Sequence, residues 1–199
     1  MVLQDPLTAL NPLRRIGAQV EDVLRLHRGL RGRELRKECI ALLEKVHIRD
    51  PDRVYGLYPY ELSGGMRQRV VIAIAWACRP QLIICDEPTT ALDVTVQKEV
   101  LKLIRELARE GQGVLFVTHD LGVVAKLADH MSVIHTGRIL ESGTVAEVYQ
   151  NPQHPYTRAL LAATPRFDRP GHQLTPVSDS LVEKLQAEAH QIDALRSAA

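Results

Sequence analysis

The 199-residue sequence has few aromatic side chains and few cysteines, and both shortages exclude certain kinds of binding site. Aromatic residues make up 4% of the chain, which argues against a surface that stacks nucleic-acid bases. The three cysteines, Cys39, Cys78 and Cys85, show no metal-ligand spacing, so we expect buried, reduced thiols in a cytosolic protein. The longest strongly apolar run, residues 70–78, is far shorter than the roughly 20 residues of a transmembrane helix.

The sequence also lacks an excess of charge of either sign. Its 25 lysines and arginines nearly balance its 24 aspartates and glutamates, for a net charge of +1. A near-neutral chain gives no reason to expect nucleic acid or an anionic surface as a partner. Asp5 and two early prolines argue against an N-terminal signal peptide. With 45% apolar residues, the chain can form the core of one ordinary domain, with or without a tail.

Apolar periodicity divides the chain into a helical part and a part in which strands and helices alternate. Residues 1–60 are predicted to be mostly helical with breaks, including a helix over Glu34–Lys45. Short apolar runs at 82–85 and 114–117 predict strands buried on both faces, and 98–109 predicts an amphipathic helix between them. This order indicates an α/β fold with a parallel sheet.

Beyond residue 130 the sequence predicts a strand pair and two capped helices. The strands are expected at 131–134 and 138–141. Thr144 and Ser180 each stand three residues before a glutamate, which is the capping-box pattern that starts a helix. The helix after Ser180 is expected to run to residue 197. Residues 164–177 contain three prolines and are predicted to be a linker.

Two adjacent acids, Asp86 and Glu87, follow the first predicted strand. The carboxyl ends of the strands in an open α/β sheet face the ligand crevice. One carboxylate there can hold a hydrated Mg²⁺, and the next can orient or deprotonate an attacking water. A strand-end acid pair can equally well cap a helix, so the pair alone does not decide between these interpretations.

Ser63, Gly64 and Gly65 precede the acid pair at a predicted helix N-terminus. Glycines let backbone N–H groups approach a ligand, a helix N-terminus favours an anion, and the serine adds a hydroxyl donor. A bare Ser-Gly-Gly is more often an ordinary N-cap, but the eight-residue string Leu62–Arg69 is much more specific. His119 follows the second predicted strand at the same sheet edge, where it can contact a terminal phosphate.

The order of these patterns along the chain is similar to that in the ATP-binding subunits of ABC transporters. The resemblance covers about residues 1–165 and rests on four segments, Gln4–Pro6, Leu62–Arg69, Leu82–Asp93 and His119. It implies a P-loop NTPase-type parallel-sheet core, a helical subdomain and a C-terminal helical extension. It also implies ATP and Mg²⁺ as cofactors, and a peripheral location on the cytoplasmic face of the inner membrane.

Within this resemblance each site residue has an implied role. Gln4 matches the Q-loop glutamine, which contacts the Mg²⁺ site and the transmembrane partner. Asp86 matches the Walker B aspartate that binds Mg²⁺, and Glu87 matches the catalytic base. Asp93 matches the D-loop at the dimer interface, and His119 matches the switch histidine.

Ser63, Gly64 and Gly65 match the signature motif, which in this family closes on the ATP held by a second ATPase subunit. The implied partners are that second subunit, transmembrane permease subunits and, indirectly, a solute-binding protein, without nucleic acid. Three segments resemble the importers of dipeptides, oligopeptides, glutathione and nickel, at residues 4–12, 86–97 and 151–161.

The sequence departs from this family because it lacks the phosphate loop Gly-x-x-x-x-Gly-Lys-Ser/Thr. The backbone N–H groups and lysine of that loop cradle the phosphates, and its hydroxyl binds Mg²⁺. In the family the loop lies upstream of the Q-loop, and here the chain begins three residues before Gln4. We therefore expect an ATPase domain without its N-terminal strands, with an open sheet edge, a bare apolar face and weak nucleotide binding.

The sequence leaves two functions open. The first is an ATP-hydrolysing subunit of an ABC importer for peptides or similar small solutes, incomplete as the chain stands. The second is a non-catalytic module that donates its signature motif to a complete ATPase subunit. The near-neutral charge argues against a DNA-repair or translation ABC protein. The expected domains are 1–60 (Q-loop and helical subdomain), 61–150 (signature, Walker B, D-loop and H-loop) and 151–199 (importer-type extension).

Overall fold

The computed structural model describes residues 1–90, 92–164 and 176–197, with the side chains of its last helix as far as residue 191. The chain forms two compact units, Met1–His119 and Asp120–Ala199. Within the described parts, no helix is both long enough and apolar enough to cross a membrane.

The first unit begins with five α-helices, with a 3₁₀ turn between the fourth and the fifth, and continues with a strand–helix–strand motif. In chain order its elements are α1 (Pro6–Ala9), α2 (Ile16–Arg28), α3 (Gly32–Lys45), α4 (Pro51–Tyr55), the 3₁₀ turn (Pro59–Glu61), α5 (Gly64–Trp76), β1 (Leu82–Asp86), α6 (Val94–Ala108) and β2 (Gly113–Val117). The early helices, the two strands and the helix between them confirm the predicted pattern, with ends that shift by about one turn or less.

Local side-chain chemistry sets where several of these helices begin and end. Asp5, Asp50, Ser63 and Asp93 cap α1, α4, α5 and α6, because each side-chain oxygen accepts a backbone N–H of the first turn. Such caps satisfy N–H groups that have no partner within the helix. Gly29 ends α2 in the left-handed conformation, with φ of 67°.

The first unit contains a parallel sheet, as the sequence predicts. β1 and β2 pair in parallel along their full lengths. The segment before α1 adds to the other edge of β1, since Val2 forms a parallel bridge with Cys85. Val2 N donates to Ile84 O at 2.8 Å, and Asp86 N donates to Val2 O at 2.9 Å. The chain start therefore lies beside the strand that carries the acid pair.

The two faces of this sheet are covered differently. Ile83 and Cys85 are buried in the core that also contains residues of α2, α3, α5 and α6. On the opposite face Leu82, Leu115 and Val117 are 56%, 51% and 45% exposed. The prediction that both strands are buried on both faces is therefore wrong, because helices cover one face and no described layer covers the other.

Two of the three cysteines are buried, as the sequence predicts, and the third is partly exposed. Cys39 and Cys85 are buried, Cys78 is partly exposed, and all three are free. Burial raises the pKa of the Cys39 and Cys85 thiols to about 12, so both stay protonated at neutral pH. A protonated thiol is a poor nucleophile and a poor metal ligand.

The second unit is built around a β-hairpin. Its elements are α7 (Leu121–Leu127), β3 (His130–His135), β4 (Arg138–Thr144), α8 (Val145–Gln150), α9 (Pro155–Ala162) and α10 (Asp179–Ser197). β3 and β4 are antiparallel, with an irregularity between Val133 and Ile134. Thr136 and Gly137 form the turn in left-handed conformations, with φ of 47° and 73°. Both α8 and α9 contact β4.

One predicted capping box is present and the other is wrong. Thr144 Oγ1 accepts the Glu147 N–H at 3.3 Å, and Glu147 Oε2 accepts the Thr144 N–H at 2.9 Å. Ser180 does not start its helix, because α10 already begins at Asp179 and Ser180 lies in the first turn. Most of the linker predicted at 164–177 lies outside the described residues.

Candidate functional site

The turn after β1 places Glu87 at the carboxyl end of the parallel sheet. The Glu87 N–H donates to Val117 O of β2 at 2.9 Å. Glu87 has φ of 43°, in the left-handed region that costs a residue with a Cβ on the order of 1 kcal/mol. Backbone strain of this kind persists where the surrounding structure fixes it, and it often occurs at functional sites.

The Glu87 carboxylate contacts three side chains, two of them distant in the sequence. Gln4 Nε2 donates to Oε2 at 3.0 Å, and Thr90 Oγ1 donates to the same oxygen at 3.0 Å. His119 Nδ1 lies 2.9 Å from Oε1. The structure therefore brings together three residues that the sequence marked separately, Gln4, Glu87 and His119.

These contacts favour the ionised form of Glu87. Hydrogen bonds from His119 and Thr90 hold the pKa of Glu87 below its ordinary value, against the opposing effect of partial burial. The Glu87 side chain is 25% exposed and that of His119 is 68% exposed, so both are open to solvent. An ionised, accessible carboxylate can accept a hydrogen bond or a proton from water.

Backbone pairing explains how Gln4 reaches Glu87. Val2 is fully buried and is fixed to β1 by its two backbone hydrogen bonds. Gln4 follows two residues later, and Asp5 then caps α1 by accepting the Leu7 N–H at 2.8 Å. A bridge before Gln4 and a cap after it hold the segment at the end of β1.

Asp86 and Gln4 are the predicted Mg²⁺ ligands, and they lie at the same end of β1. The described residues contain no group of three or more His, Cys, Asp or Glu that could hold a metal ion. Mg²⁺ in nucleotide sites is usually held by one or two carboxylates, with water and substrate phosphates as the other ligands. One carboxylate and one amide oxygen fit that pattern, and the assignment remains a prediction.

The signature motif forms the N-terminus of α5. Ser63 Oγ accepts a backbone N–H of the first turn at 3.3 Å. A Cβ at Gly65 would lie 2.4 Å from Val96 Cγ1 of α6, so the two helices approach too closely for a larger residue. A Cβ at Gly64 would lie no nearer than 3.8 Å to Leu92 Cδ2. Gly64 thus leaves the backbone open at a helix end that favours an anion.

Asp93 caps α6 and has a structural role in this chain. Its Oδ1 accepts the N–H groups of Thr95 and Val96, both at 3.0 Å. The predicted D-loop role of Asp93 remains a prediction, and Ala91 of that motif lies outside the described residues. The signature motif and Asp93 lie at the N-termini of two helices that contact each other, α5 and α6.

Thr90 is the contact that sequence reasoning missed. It lies in the turn after β1, where its N–H donates to Glu87 O at 3.3 Å. The only signal in the sequence is a hydroxyl residue three positions after a glutamate, and such pairs are too common to predict a contact.

Comparison with known proteins agrees with this geometry. Residues 1–90 match a family model described as ABC transporter, and residues 140–189 match one described as oligopeptide/dipeptide transporter, C-terminal region. The probable D,D-dipeptide transport ATP-binding protein DdpD of Escherichia coli K12 is 52% identical over 186 residues, 93% of this chain and 56% of the relative. The chain belongs to the ABC-transporter ATP-binding family. Members of this family bind ATP.

Other relatives of this ABC-family chain have importer names. The dipeptide transport ATP-binding protein DppD of Bacillus subtilis is 47% identical, over 89% of this chain and 53% of the relative. The glutathione import ATP-binding protein GsiA of Escherichia coli K12 is 49% identical, over 84% of this chain and 27% of the relative. The chain spans about half the length of DdpD and DppD.

Solved structures show the same ABC ATPase fold. The dimeric post-hydrolysis state of the ATP-binding cassette MJ0796, bound to ADP and Pi, has a TM-score of 0.62 and 28% identity to this chain. The likeness covers 72% of this chain and 62% of the cassette. The P-loop NTPase fold expected from the sequence is therefore confirmed.

Proposed function

We propose that the protein is the ATP-hydrolysing subunit of an ABC importer for peptides or similar small solutes. The observation that carries the proposal is the contact of Glu87 with both Gln4 and His119 at the carboxyl end of β1. Membership of the ABC-transporter family supports the reaction, and relatives named for dipeptide and glutathione import support the solute class.

Glu87 has the position and charge to direct the attacking water. Its ionised carboxylate accepts a hydrogen bond from the water and takes up a proton as the water oxygen bonds to the terminal phosphorus. At the same time the bond from that phosphorus to the bridging oxygen breaks, and ADP leaves. The depressed pKa of Glu87 favours orienting the water over removing its proton early. His119 lies beside Oε1, where its ring can contact the transferred phosphate. Mg²⁺, when bound by Asp86 and Gln4, would supply positive charge to the phosphate oxygens.

The signature motif faces a different nucleotide. Ser63 and Gly64 are exposed at the N-terminus of α5, and Gly65 is buried beside them. This helix end can donate backbone N–H groups and a hydroxyl to the phosphates held by a second ATPase subunit. Asp93, at the start of the neighbouring helix, would lie at the same subunit interface. The partners that this proposal needs are a second ATPase subunit and the permease subunits, with a solute-binding protein acting indirectly.

A second candidate function is a non-catalytic module that donates its signature motif to a complete ATPase subunit. The 199 residues contain no Gly-x-x-x-x-Gly-Lys, while the open backbone at Gly64 is intact. Without that loop the chain loses several charge-assisted hydrogen bonds to phosphate, each worth about 1.5–3 kcal/mol. Three such bonds correspond to a factor of about a thousand or more in affinity.

We also propose that the protein works on the cytoplasmic face of the cell membrane. It would be held there by permease subunits, and the transport and import names of its relatives support this location. Residues 13–60, which contain α2, α3 and α4, are the proposed contact for the permease. Co-purification with permease subunits from solubilised membranes, and its loss without them, would test this location.

Hydrolysis is tested by replacing the proposed base. The chain, joined behind an N-terminal segment that carries a phosphate loop of the family type, is expected to hydrolyse Mg-ATP. Glu87→Gln keeps the shape of the side chain but removes the base, so we expect kcat to fall by about 100- to 10,000-fold. Glu34→Gln, at an exposed position of α3, is the matched control and should stay active. Full activity of the Glu87 variant would refute the assignment.

Nucleotide binding by the 199-residue chain separates the two candidate functions. Titration with labelled ATP should give no micromolar binding by the chain alone, because the phosphate loop is missing. Addition of a complete ATPase subunit with a disabled base should produce a ternary complex, and a bulky substitution at Gly64 should remove it. Micromolar binding without a partner would contradict the importance given to the phosphate loop.

A further inference from the structure

We propose that Thr90 is a positioning residue that anchors one oxygen of the Glu87 carboxylate and thereby directs the other oxygen towards His119. The Thr90 hydroxyl donates to Oε2 at 3.0 Å, and His119 Nδ1 lies 2.9 Å from Oε1. The proposal rests on the proposed function, since the aim of Glu87 matters for hydrolysis only in an ATPase. It gives a role to a residue that has none in the assignments above.

Backbone hydrogen bonds fix the main chain around Glu87 but not its side chain. The Glu87 N–H is bonded to Val117 O at 2.9 Å, and its carbonyl accepts the Thr90 N–H at 3.3 Å. These bonds set the strained φ of 43° but leave the side-chain torsions of Glu87 undetermined. A glutamate side chain has three rotatable bonds, so its carboxylate needs a further contact to keep one orientation.

Two donors reach Oε2, and they differ in how they are held. Gln4 belongs to a segment 83 residues away in the sequence, and its contact depends on the pairing of that segment with β1. Thr90 lies in the same turn as Glu87, three residues along. The position of its hydroxyl near Oε2 therefore does not depend on the pairing of the Gln4 segment, and a short β-branched side chain loses little rotamer freedom in making the bond.

The role of the hydroxyl can be separated from that of the side-chain volume. Thr90→Val has nearly the same shape and removes the donor, while Thr90→Ser keeps the donor. Thr164→Val is the matched control, because it removes a hydroxyl that donates to Leu160 O at 2.9 Å in the other compact unit. All three variants can be compared in the 199-residue chain.

The first readout is the ¹⁵N signal of His119 Nδ1 at one fixed pH, which reports the hydrogen bond to Glu87 and needs no nucleotide. We expect Thr90→Val to move this signal towards that of a nitrogen without a carboxylate partner. Thr90→Ser and Thr164→Val should leave it at the wild-type position. An unmoved signal in Thr90→Val, or a serine variant as changed as the valine variant, would overturn the proposal.

The second readout is ATP hydrolysis by the chain extended with a phosphate loop. A misdirected base should lower kcat by about 10- to 100-fold and leave KM for ATP unchanged, with recovery in Thr90→Ser. Equal kcat in the valine variant and the wild type would count against the positioning role. If the wild-type extended chain hydrolyses no ATP, the proposed function fails, and the ¹⁵N result still decides the contact by itself.

Discussion

At the scale of single residues, the two glycines of the signature motif differ in what they tolerate. Gly65 is in such close approach to Val96 that an added Cβ would lie 2.4 Å from Cγ1. Val96 is β-branched and lies on α6, so it has little freedom to turn away. Gly64 has its nearest neighbour, Leu92 Cδ2, at 3.8 Å from the same built position, which is an ordinary contact.

Alanine substitutions should therefore have opposite effects at these neighbouring positions. Gly65→Ala is expected to destabilise the first unit by about 1–3 kcal/mol, because α5 and α6 must separate. Gly64→Ala should be neutral or stabilising by up to about 1 kcal/mol, since alanine loses less entropy on folding. Urea unfolding followed by the fluorescence of Trp76, the single tryptophan and a buried residue of α5, measures both. Equal effects would contradict the packing explanation.

Residue types and spacing predicted part of the site. Asp86 and Glu87 were found as an acid pair at a strand end, and His119 by its place after the second strand. Thr90 was missed because its contact depends on the left-handed turn at Glu87, and no motif encodes that turn. Only the structure shows that Gln4, which lies 83 residues before Glu87, donates to the same Glu87 oxygen as Thr90 does.

At the scale of elements, Glu141 joins the hairpin to α9. It lies on β4 and accepts the N–H groups of Gln153 at 2.7 Å and His154 at 3.0 Å. Burial tends to raise the pKa of Glu141, but the neighbouring Thr157 hydroxyl and the hydrogen bonds from these two amides lower it below its ordinary value. The segment that resembles the importer C-terminal element is thus bonded to β4 through one carboxylate.

Glu141→Gln should loosen α9, with a definite pH dependence. Because the pKa of Glu141 is lower in the folded state, its stabilisation is fully present above the unfolded pKa of about 4.3. It is lost as the pH falls through the folded pKa. At pH 7 we expect amides of α9 to exchange about tenfold faster in the variant, since a hydrogen bond to a charged group is lost.

The ratio of variant to wild-type exchange rates should approach one at acid pH, where wild-type Glu141 is protonated too. Hydrogen exchange followed by mass spectrometry measures this ratio. Glu183→Gln, at an exposed position of α10, is the control and should show a ratio near one throughout. A pH-independent ratio for Glu141→Gln would mean that the carboxylate charge contributes nothing.

The ends of the helices and strands are easier to predict from the sequence than the burial of their faces. Caps such as Thr144 act over one helical turn, so their pattern is visible in sequence. Ser180 shows the weakness of that signal, because α10 includes the serine in its first turn. The boundary between the compact units falls between His119 and Asp120, inside the expected middle domain, and the expected three-domain division remains a prediction.

At the scale of the whole molecule, the first unit has an apolar sheet face that nothing described covers. Leu82, Leu115 and Val117 are each about half exposed there. The apolar runs alone do not reveal this face, because a run without alternation looks the same whether one or both faces are buried. The missing phosphate-loop motif, however, does predict a bare apolar face. Burial depends on a second layer, and the presence of that layer is a tertiary property.

This face should make the 199-residue chain associate with itself. Exposed apolar patches promote association in water, so we expect a mass that rises with concentration in sedimentation experiments. Leu115→Lys places a charge in the middle of the face and should reduce both association and the binding of an apolar dye. Leu26→Lys changes a leucine of α2 that is 78% exposed and serves as the control. If the Leu115 variant associates as strongly as the wild type, self-association is mediated by a different surface.

The close approach of α5 and α6 also affects how strongly Gly64 and Gly65 each indicate that a related chain binds nucleotide. Two independent requirements favour glycine at position 65, namely the packing of α5 against α6 and the proposed contact with phosphate. Its presence is therefore weak evidence for nucleotide binding, because a chain that had lost that activity would still need it to fold. Only the proposed ligand contact favours glycine at position 64. Gly64 is therefore the more informative position for judging whether such a chain retains its contact with a partner's nucleotide.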